Sequence, residues 1–309
     1  MIRAAVKGIG MALPKQILTN EDLAARVATS DEWIVQRTGI RERRVVSEGE
    51  TTQTLALAAA QDAMERAGVS GEAVDFTIVA TISPDQKWPA SACYVQDKIG
   101  SKGGAYDVSA ACAGFVYALD QGASMIETGR AETVLVVGAD TLTNQLDWTD
   151  RGTCVLFGDG AGAVVLEAAE DGRGLLNSIL LSDGSGTKHL GWFGEFLTMN
   201  GKEVYRFAVK AMGDACEKVI EKAGLQPSDI DLFVPHQANI RIITAAAERM
   251  GLASEKVFVN VDRYGNTSGG SIPIALAEAE REGRLKPGML VLTVGFGGGL
   301  VWGANLIRW

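Results

Sequence analysis

Histidine is almost missing from this chain of 309 residues, where His189 and His236 are the only two. A His-rich metal centre is therefore not expected, since such a site needs several imidazoles within reach of one ion. Cysteine is scarce as well. Cys93, Cys112, Cys154 and Cys216 show neither CxxC spacing nor the density of a disulfide scaffold, so reduced thiols are expected. No stretch approaches the ~18 apolar residues of a membrane span. Lys7, Gly8 and Gly10 interrupt the opening MIRAAVKGIGMALPK, unlike the core of a secretory leader. These absences predict a cytoplasmic protein with no membrane partner. Positive charge is also in deficit, with 29 Lys and Arg against 38 Asp and Glu, a formal net charge of -9. A general nucleic-acid binder needs a broad basic face, so nucleic acid is not an expected partner and any anionic ligand must meet a local basic patch.

Hydrophobic residues at 47% and charged residues at 22% lie far from the signature of disorder and are enough for a large buried core. Short β-branched runs alternate with helical patterns: VDFTIVAT, AYDVS and TVLVVGAD are each separated by a helix-like segment. That alternation predicts α/β architecture. The second half then runs the same course. AGVSGEAVDFTIVAT resembles AGLQPSDIDLFVPHQ at an offset of 156 residues, and TVLVVGAD resembles LVLTVGFG at an offset of 157. Repeats this long, with their order kept, point to two related halves rather than a solenoid. The join falls within EAAEDGRG, dividing the chain into residues 1–170 and 171–309. A cleft between duplicated halves is a favoured place for a small-molecule site.

DVSAACAGFVYAL places Cys112 between a strand and an apolar helix, among small neighbours. Partial positive charge at a helix N-terminus stabilises a thiolate, so a lowered pKa and a nucleophilic role are expected there. The competing reading is a packed thiol, because free cysteine is among the most buried residue types. His236, in DIDLFVPHQANIRII, follows a strand end, where open α/β sheets place ligands, although it could equally satisfy a loop carbonyl. Asn266, in RYGNTSGGSIPIAL, sits in a Gly-rich turn whose alternative reading is a plain turn. The glycines of VGFGGGLVWG permit close backbone approach to a ligand, as an oxyanion site requires, or simply a hairpin. Taken together, cysteine, histidine and asparagine all fall at strand-to-helix junctions that one cleft could gather.

TSDEWIVQRTGIRER, DVSAACAGFVYAL, DRGTCVLFGDGAGAVVL, VPHQANIRII, RYGNTSGGSIP and FGGGLVWG together resemble the β-ketoacyl-acyl-carrier-protein synthase III family, over essentially the whole chain. These are the initiating condensing enzymes of dissociated fatty-acid synthesis, within the thiolase-like superfamily. The resemblance implies duplicated βαβαβαββ halves in a five-layered α/β/α/β/α arrangement, and a homodimer. It implies that Cys112 accepts the acyl group from acyl-CoA while His236 and Asn266 promote decarboxylation of malonyl-acyl-carrier protein. Backbone N–H groups of Cys112 and Gly298 form the implied oxyanion hole, and Phe296 lines the site. Trp33 and Arg151 match residues that hold the adenine of coenzyme A, with Thr29, Arg37, Tyr205, Ala238 and Asn239 also on the substrate path. Gln237, Arg241 and Arg206 match carrier-protein docking positions, which Lys202, Lys210 and Arg249 could extend. Coenzyme A enters as a thioester substrate, and no metal or redox cofactor is implied.

Departures bear on the starter. Trp88 stands where relatives often carry Phe in the partner's acyl pocket, its bulk suggesting a short acyl group, and the segment 182–200 is short. Lys202 and Tyr205 replace the Asn and Phe common there. A condensing enzyme of secondary metabolism is therefore an alternative. A degradative thiolase needs a cysteine after Cys216, and a Cys-His-His synthase needs its second histidine after His236; neither is present. A papain-like Cys-His-Asn hydrolase would bring a leader and disulfides and no duplication.

Overall fold

Each half of the chain builds one sheet, and four strands of the first, five-stranded sheet have counterparts in the four-stranded second. In the computed structural model, which describes residues 2–309, the first sheet runs Arg3–Ala12, Asp159–Ala169, Thr133–Thr141, Phe76–Ala80, Gly104–Val108 from edge to edge. Its first three strands pair antiparallel and the last three parallel. The second sheet runs Gly174–Ser182, Val301–Arg308, Leu290–Gly297, Leu232–Pro235, with the same succession of antiparallel and parallel pairs. Duplication is incomplete at one edge. The counterpart of Gly104–Val108 is reduced to a single parallel bridge between Phe233 and Val257, because the chain turns at once into the short helix Val261–Tyr264.

Thr133–Thr141 and Leu290–Gly297 are buried at every position, which explains why apolar residues do not alternate with polar ones: strands covered on both faces need no such alternation. Helices Thr52–Ala67 and Ser91–Ile99 pack on the outer face of the first sheet. Gly201–Lys222 and Ile240–Arg249 cover the outer face of the second. Between the sheets lie Gly114–Glu127 and Ser271–Arg281, the latter buried continuously from Ser271 to Ala279. A helix apolar all round belongs in the middle of a core. The five-layered α/β/α/β/α thiolase-like arrangement follows.

Close approach of the layers depends on glycine at the centre. A Cβ on Gly138 would stand 2.0 Å from the Gly269 carbonyl oxygen, so the loop before the helix Ser271–Arg281 can lie directly on the first sheet. Two additions outside the duplicated core wall the site. One joins the small sheet Gln16–Thr19/Glu42–Val45 to the helix Asp31–Thr38; the other is the hairpin Leu190–Trp192/Leu197–Met199.

Candidate active site

Cys112 lies in the 3-10 turn Ala111–Ala113, which links the strand Gly104–Val108 to the helix Gly114–Glu127. Ala111 has φ +46°, a left-handed conformation that costs a residue with a side chain about 1–2 kcal/mol. Ser268 has φ +49°, and these are the only non-glycine residues with positive φ among the described residues. Their two turns pack against each other, so backbone strain is concentrated where the turns that carry Cys112 and follow Asn266 come together. Burial pushes the Cys112 thiol up to about 12, a neighbouring Ser268 hydroxyl pulling it down and the Asp140 carboxylate adding to the rise. The expected lowering is therefore corrected. At 6% exposure, loss of hydration outweighs the helix terminus, and the resting group is a thiol. Cys93 is exposed, and Cys154 and Cys216 are buried; none of the three lines the cavity described below.

His236 follows the strand Leu232–Pro235 and is 1% exposed. Burial holds its pKa down at about 3, so the imidazole is neutral. Nδ1 stands 2.9 Å from the Ser271 hydroxyl oxygen, which also accepts the Gln237 backbone N–H at 2.7 Å. The Phe296 ring meets the imidazole edge to face at 5.5 Å between centroids. Nε2 is buried with no hydrogen-bond partner. Asn266 accepts the Ser268 N–H at 2.8 Å through Oδ1, and its own backbone N–H donates to the Leu156 carbonyl at 2.8 Å. Its side-chain amide N–H groups are thus left for a ligand.

Cys112, His236, Asn266, Phe296 and Gly298 line one cavity of about 720 Å³. Gly297 lets the closing loop approach the nucleophile, because a Cβ there would stand 2.6 Å from the Cys112 backbone nitrogen. Trp33, Arg37, Arg151, Lys202, Tyr205, Arg206, Ala238, Asn239 and Arg241 also line the cavity, with Leu190, Trp192, Leu197 and Met199 from the hairpin. The Arg151 and Arg37 guanidinium carbons lie 4.5 and 4.8 Å from the Trp33 ring centroid, and that of Arg241 lies 5.2 Å from the Tyr205 ring. An aromatic face set among guanidinium groups suits a flat, anionic ligand.

Other predicted residues lie elsewhere. Gln237 is 1% exposed, and its amide is consumed by bonds to Pro235, Phe258, Asn260 and Val261. It cannot meet a docking protein; it holds the loop that carries His236. Arg249 pairs with Asp214 and Glu217, each at 2.6 Å, so its charge is neutralised rather than added to a basic patch. Thr29 and Lys210 do not line the cavity, and neither does Trp88, which is 83% exposed. Asn239 is divided between the cavity wall and the fold, capping Arg241 N–H and donating to the Arg37 carbonyl. Ser268 and Ser271 were missed in the sequence; both stand in the Asn266 turn, where serine reads equally well as a cap. Among the described residues, no group of three or more His, Cys, Asp or Glu could hold a metal ion, and no helix is long and apolar enough to cross a membrane.

A duplicated five-layered core that brings cysteine, histidine and asparagine to one cavity defines a thiolase-like condensing enzyme. Family models narrow the class: residues 106–184 match 3-oxoacyl-[acyl-carrier-protein] synthase III, and residues 220–309 match the C-terminal part of the same enzyme. The chain is 50% identical over 309 residues to beta-ketoacyl-[acyl-carrier-protein] synthase III 1 of Bacillus cereus, covering 100% of this chain and 99% of that one. The crystal structure of the Aquifex aeolicus synthase III superposes with a TM-score of 0.97 at 48% identity, covering 99% and 100% of the two chains. The priming β-ketosynthase of the R1128 polyketide biosynthetic pathway superposes with a TM-score of 0.94 at 34% identity, covering 98% and 96%. This chain belongs to the β-ketoacyl-acyl-carrier-protein synthase III family, whose members are acyl-transferring condensing enzymes.

Proposed function

We propose that this enzyme initiates fatty-acid chains by joining a short acyl-CoA starter to malonyl-acyl-carrier protein, giving 3-oxoacyl-acyl-carrier protein, CoA and CO2. The observation that carries the reading is the buried, unpartnered Nε2 of His236 in the same cavity as Cys112. A polar atom left unpaired in a dry site is costly, and a substrate oxygen or a thiol proton can satisfy it.

In the first half-reaction the Cys112 sulfur attacks the acyl-CoA carbonyl, the carbon–sulfur bond to CoA breaks, and the thiol proton ends on the departing CoA thiolate. Because the thiol is weakly acidic, that proton must leave as the new bond forms. Neutral His236 suits this transfer, since Ser271 can accept from Nδ1–H and leave Nε2 bare. Backbone N–H groups of Cys112 and Gly298 are the oxyanion donors. In the second half-reaction the carboxylate–Cα bond of malonyl breaks, CO2 departs, and the electron pair forms an enolate. Ser271 now donates to Nδ1, so Nε2–H and the Asn266 amide can both donate to the enolate oxygen. The carbanion attacks the acyl-enzyme, and Cys112 leaves as thiolate and regains a proton from solvent.

Acyl-CoA binds with its adenine against Trp33 and Arg151, the carrier protein docks through Arg206 and Arg241, and the thioester chemistry requires no metal or redox cofactor. Two chains act as a homodimer in the cytoplasm, with exposed Trp88 reaching the partner's acyl pocket. Likeness to a polyketide priming synthase supports a second reading, the same chemistry in secondary metabolism.

Intact-protein mass spectrometry with a panel of acyl-CoAs tests the reading. One thioester adduct is expected, absent in Cys112→Ala, and addition of malonyl-acyl-carrier protein should discharge it. No adduct with any chain length, or one that survives the substitution, sinks the mechanism. The ranking of adducts by length and branching separates the two pathways.

A further inference from the structure

Behind Cys112 lies a carboxylate that the condensation chemistry leaves unused. Asp140 is the penultimate residue of the strand Thr133–Thr141 and is 0% exposed, with no cation bonded to it among the described residues. Buried carboxylates are costly unless a dense set of donors replaces water. Here the donors divide by half of the molecule. Oδ1 accepts from Thr81 Oγ1 at 3.0 Å, Ile82 N–H at 2.8 Å, Ser83 N–H at 3.1 Å and Ser83 Oγ at 2.7 Å, all from the loop after Phe76–Ala80. Oδ2 accepts from Gly269 N–H at 2.9 Å, in the second half. The Ser268 hydroxyl lies beside both Asp140 and Cys112, though it meets neither in ideal hydrogen-bond geometry.

That single contact falls at a sensitive point. Ser268 is the strained left-handed residue, its N–H is held by Asn266 Oδ1, and Gly269 follows it. Fixing the Gly269 amide therefore fixes the turn that aims the Asn266 amide. We propose that Asp140 is a positioning residue for the condensation: anchored by the first half, it grips the Ser268–Gly269 turn of the second and sets Asn266 against Cys112. The proposal rests on the condensing role assigned to Asn266 and Cys112 above. It gives a physical reason for the halves to be joined by a charge at this spot, because a charge-assisted bond holds a strained turn where a neutral one would let it relax.

Asp140→Asn is the informative change, because its side-chain oxygen can keep the four first-half donors while its amide N–H faces the Gly269 N–H. Anchorage survives and the grip is replaced by a donor facing a donor. Single-turnover acylation by acyl-CoA and decarboxylation of malonyl-acyl-carrier protein are measured separately, alongside the melting temperature. Decarboxylation is expected to fall about tenfold or more, the scale of a lost positioned donor, with acylation changing several-fold less. A second readout is the pH dependence of Cys112 alkylation by iodoacetamide. Asp140 is the carboxylate that bears on the thiol, His236 across the cavity is neutral, and Asp159, whose own carboxyl Asp140 helps to raise, does not act on the thiol. The profile should move to lower pH in Asp140→Asn, which a merely structural residue would not do. Should that variant fail to fold, Ser83→Ala loosens the anchorage without altering charge and is expected to shift the ratio of decarboxylation to acylation the same way by about two- to fivefold. An unchanged ratio and profile in folded Asp140→Asn overturns the proposal, as does an unchanged ratio in Ser83→Ala where Asp140→Asn does not fold. Failure of the wild-type enzyme to acylate Cys112 at all would instead refute the proposed function.

Discussion

At the scale of the residue, His236 acts as a fixed dipole rather than a titrating switch. Its folded pKa is pushed down to about 3 from an ordinary value of 6.5, because burial disfavours the imidazolium. Two consequences follow from that direction. Decarboxylation should show no acid limb near pH 6.5, since the neutral ring proposed to donate to the enolate persists well below it. A pH–rate profile measured with malonyl-acyl-carrier protein checks this, and a limb centred at 6.5 would mean the ring is hydrated. For stability the unfolded chain binds the extra proton, so the folded state is favoured fully above 6.5 and loses ground as pH falls toward 3. That loss is on the order of a few kcal/mol, and it should shrink in His236→Gln when unfolding is followed across that pH window.

Elements bring these residues together, and here the limits of reading a sequence become visible. Junctions were legible, because a β-branched run ending in small residues announces Cys112 and an apolar run ending in Pro235 announces His236. Duplication was legible from ordered similarity, but the missing edge strand was not, since Val257–Asn260 keeps the apolar pattern while pairing at one bridge. Gln237 was misread because motif adjacency to Arg241 says nothing of direction; the turn before Ile240–Arg249 points it inward. The Asp140 contacts join positions over fifty residues apart, which no local pattern encodes. Glycine at 297 is a case where element geometry makes a firm expectation. Gly297→Ala places a Cβ 2.6 Å from the Cys112 backbone nitrogen, the donor proposed for the oxyanion. Acylation should fall about 100-fold or more, the size of a lost oxyanion donor, while acyl-CoA affinity, proposed to rest on Trp33 and Arg151, should be unchanged. Stopped-flow acylation with equilibrium binding separates the two effects, and normal acylation would remove that nitrogen from the mechanism.

At the scale of the molecule, charge sorts the arginines into different tasks. The chain carries a net charge of -9, so an acidic carrier protein, the partner proposed above, would be repelled by most of its surface and would need one local basic patch. Lys202, Arg206 and Arg241 border the cavity mouth, and the Arg206 side chain is 68% exposed, with only a 3.4 Å pair to Glu203. Such an exposed pair is weak, leaving the guanidinium free for a partner. Arg249 differs: its two short ion pairs tie the helix Ile240–Arg249 to Gly201–Lys222. Arg206→Glu should raise KM for malonyl-acyl-carrier protein about three- to tenfold with a smaller effect on acylation by acyl-CoA, and added salt should raise the wild-type KM in the same sense. Arg249→Gln should lower the melting temperature and leave that KM unchanged. If the two variants exchange these effects, the docking patch lies on the face around Arg249, and the cavity mouth serves coenzyme A alone.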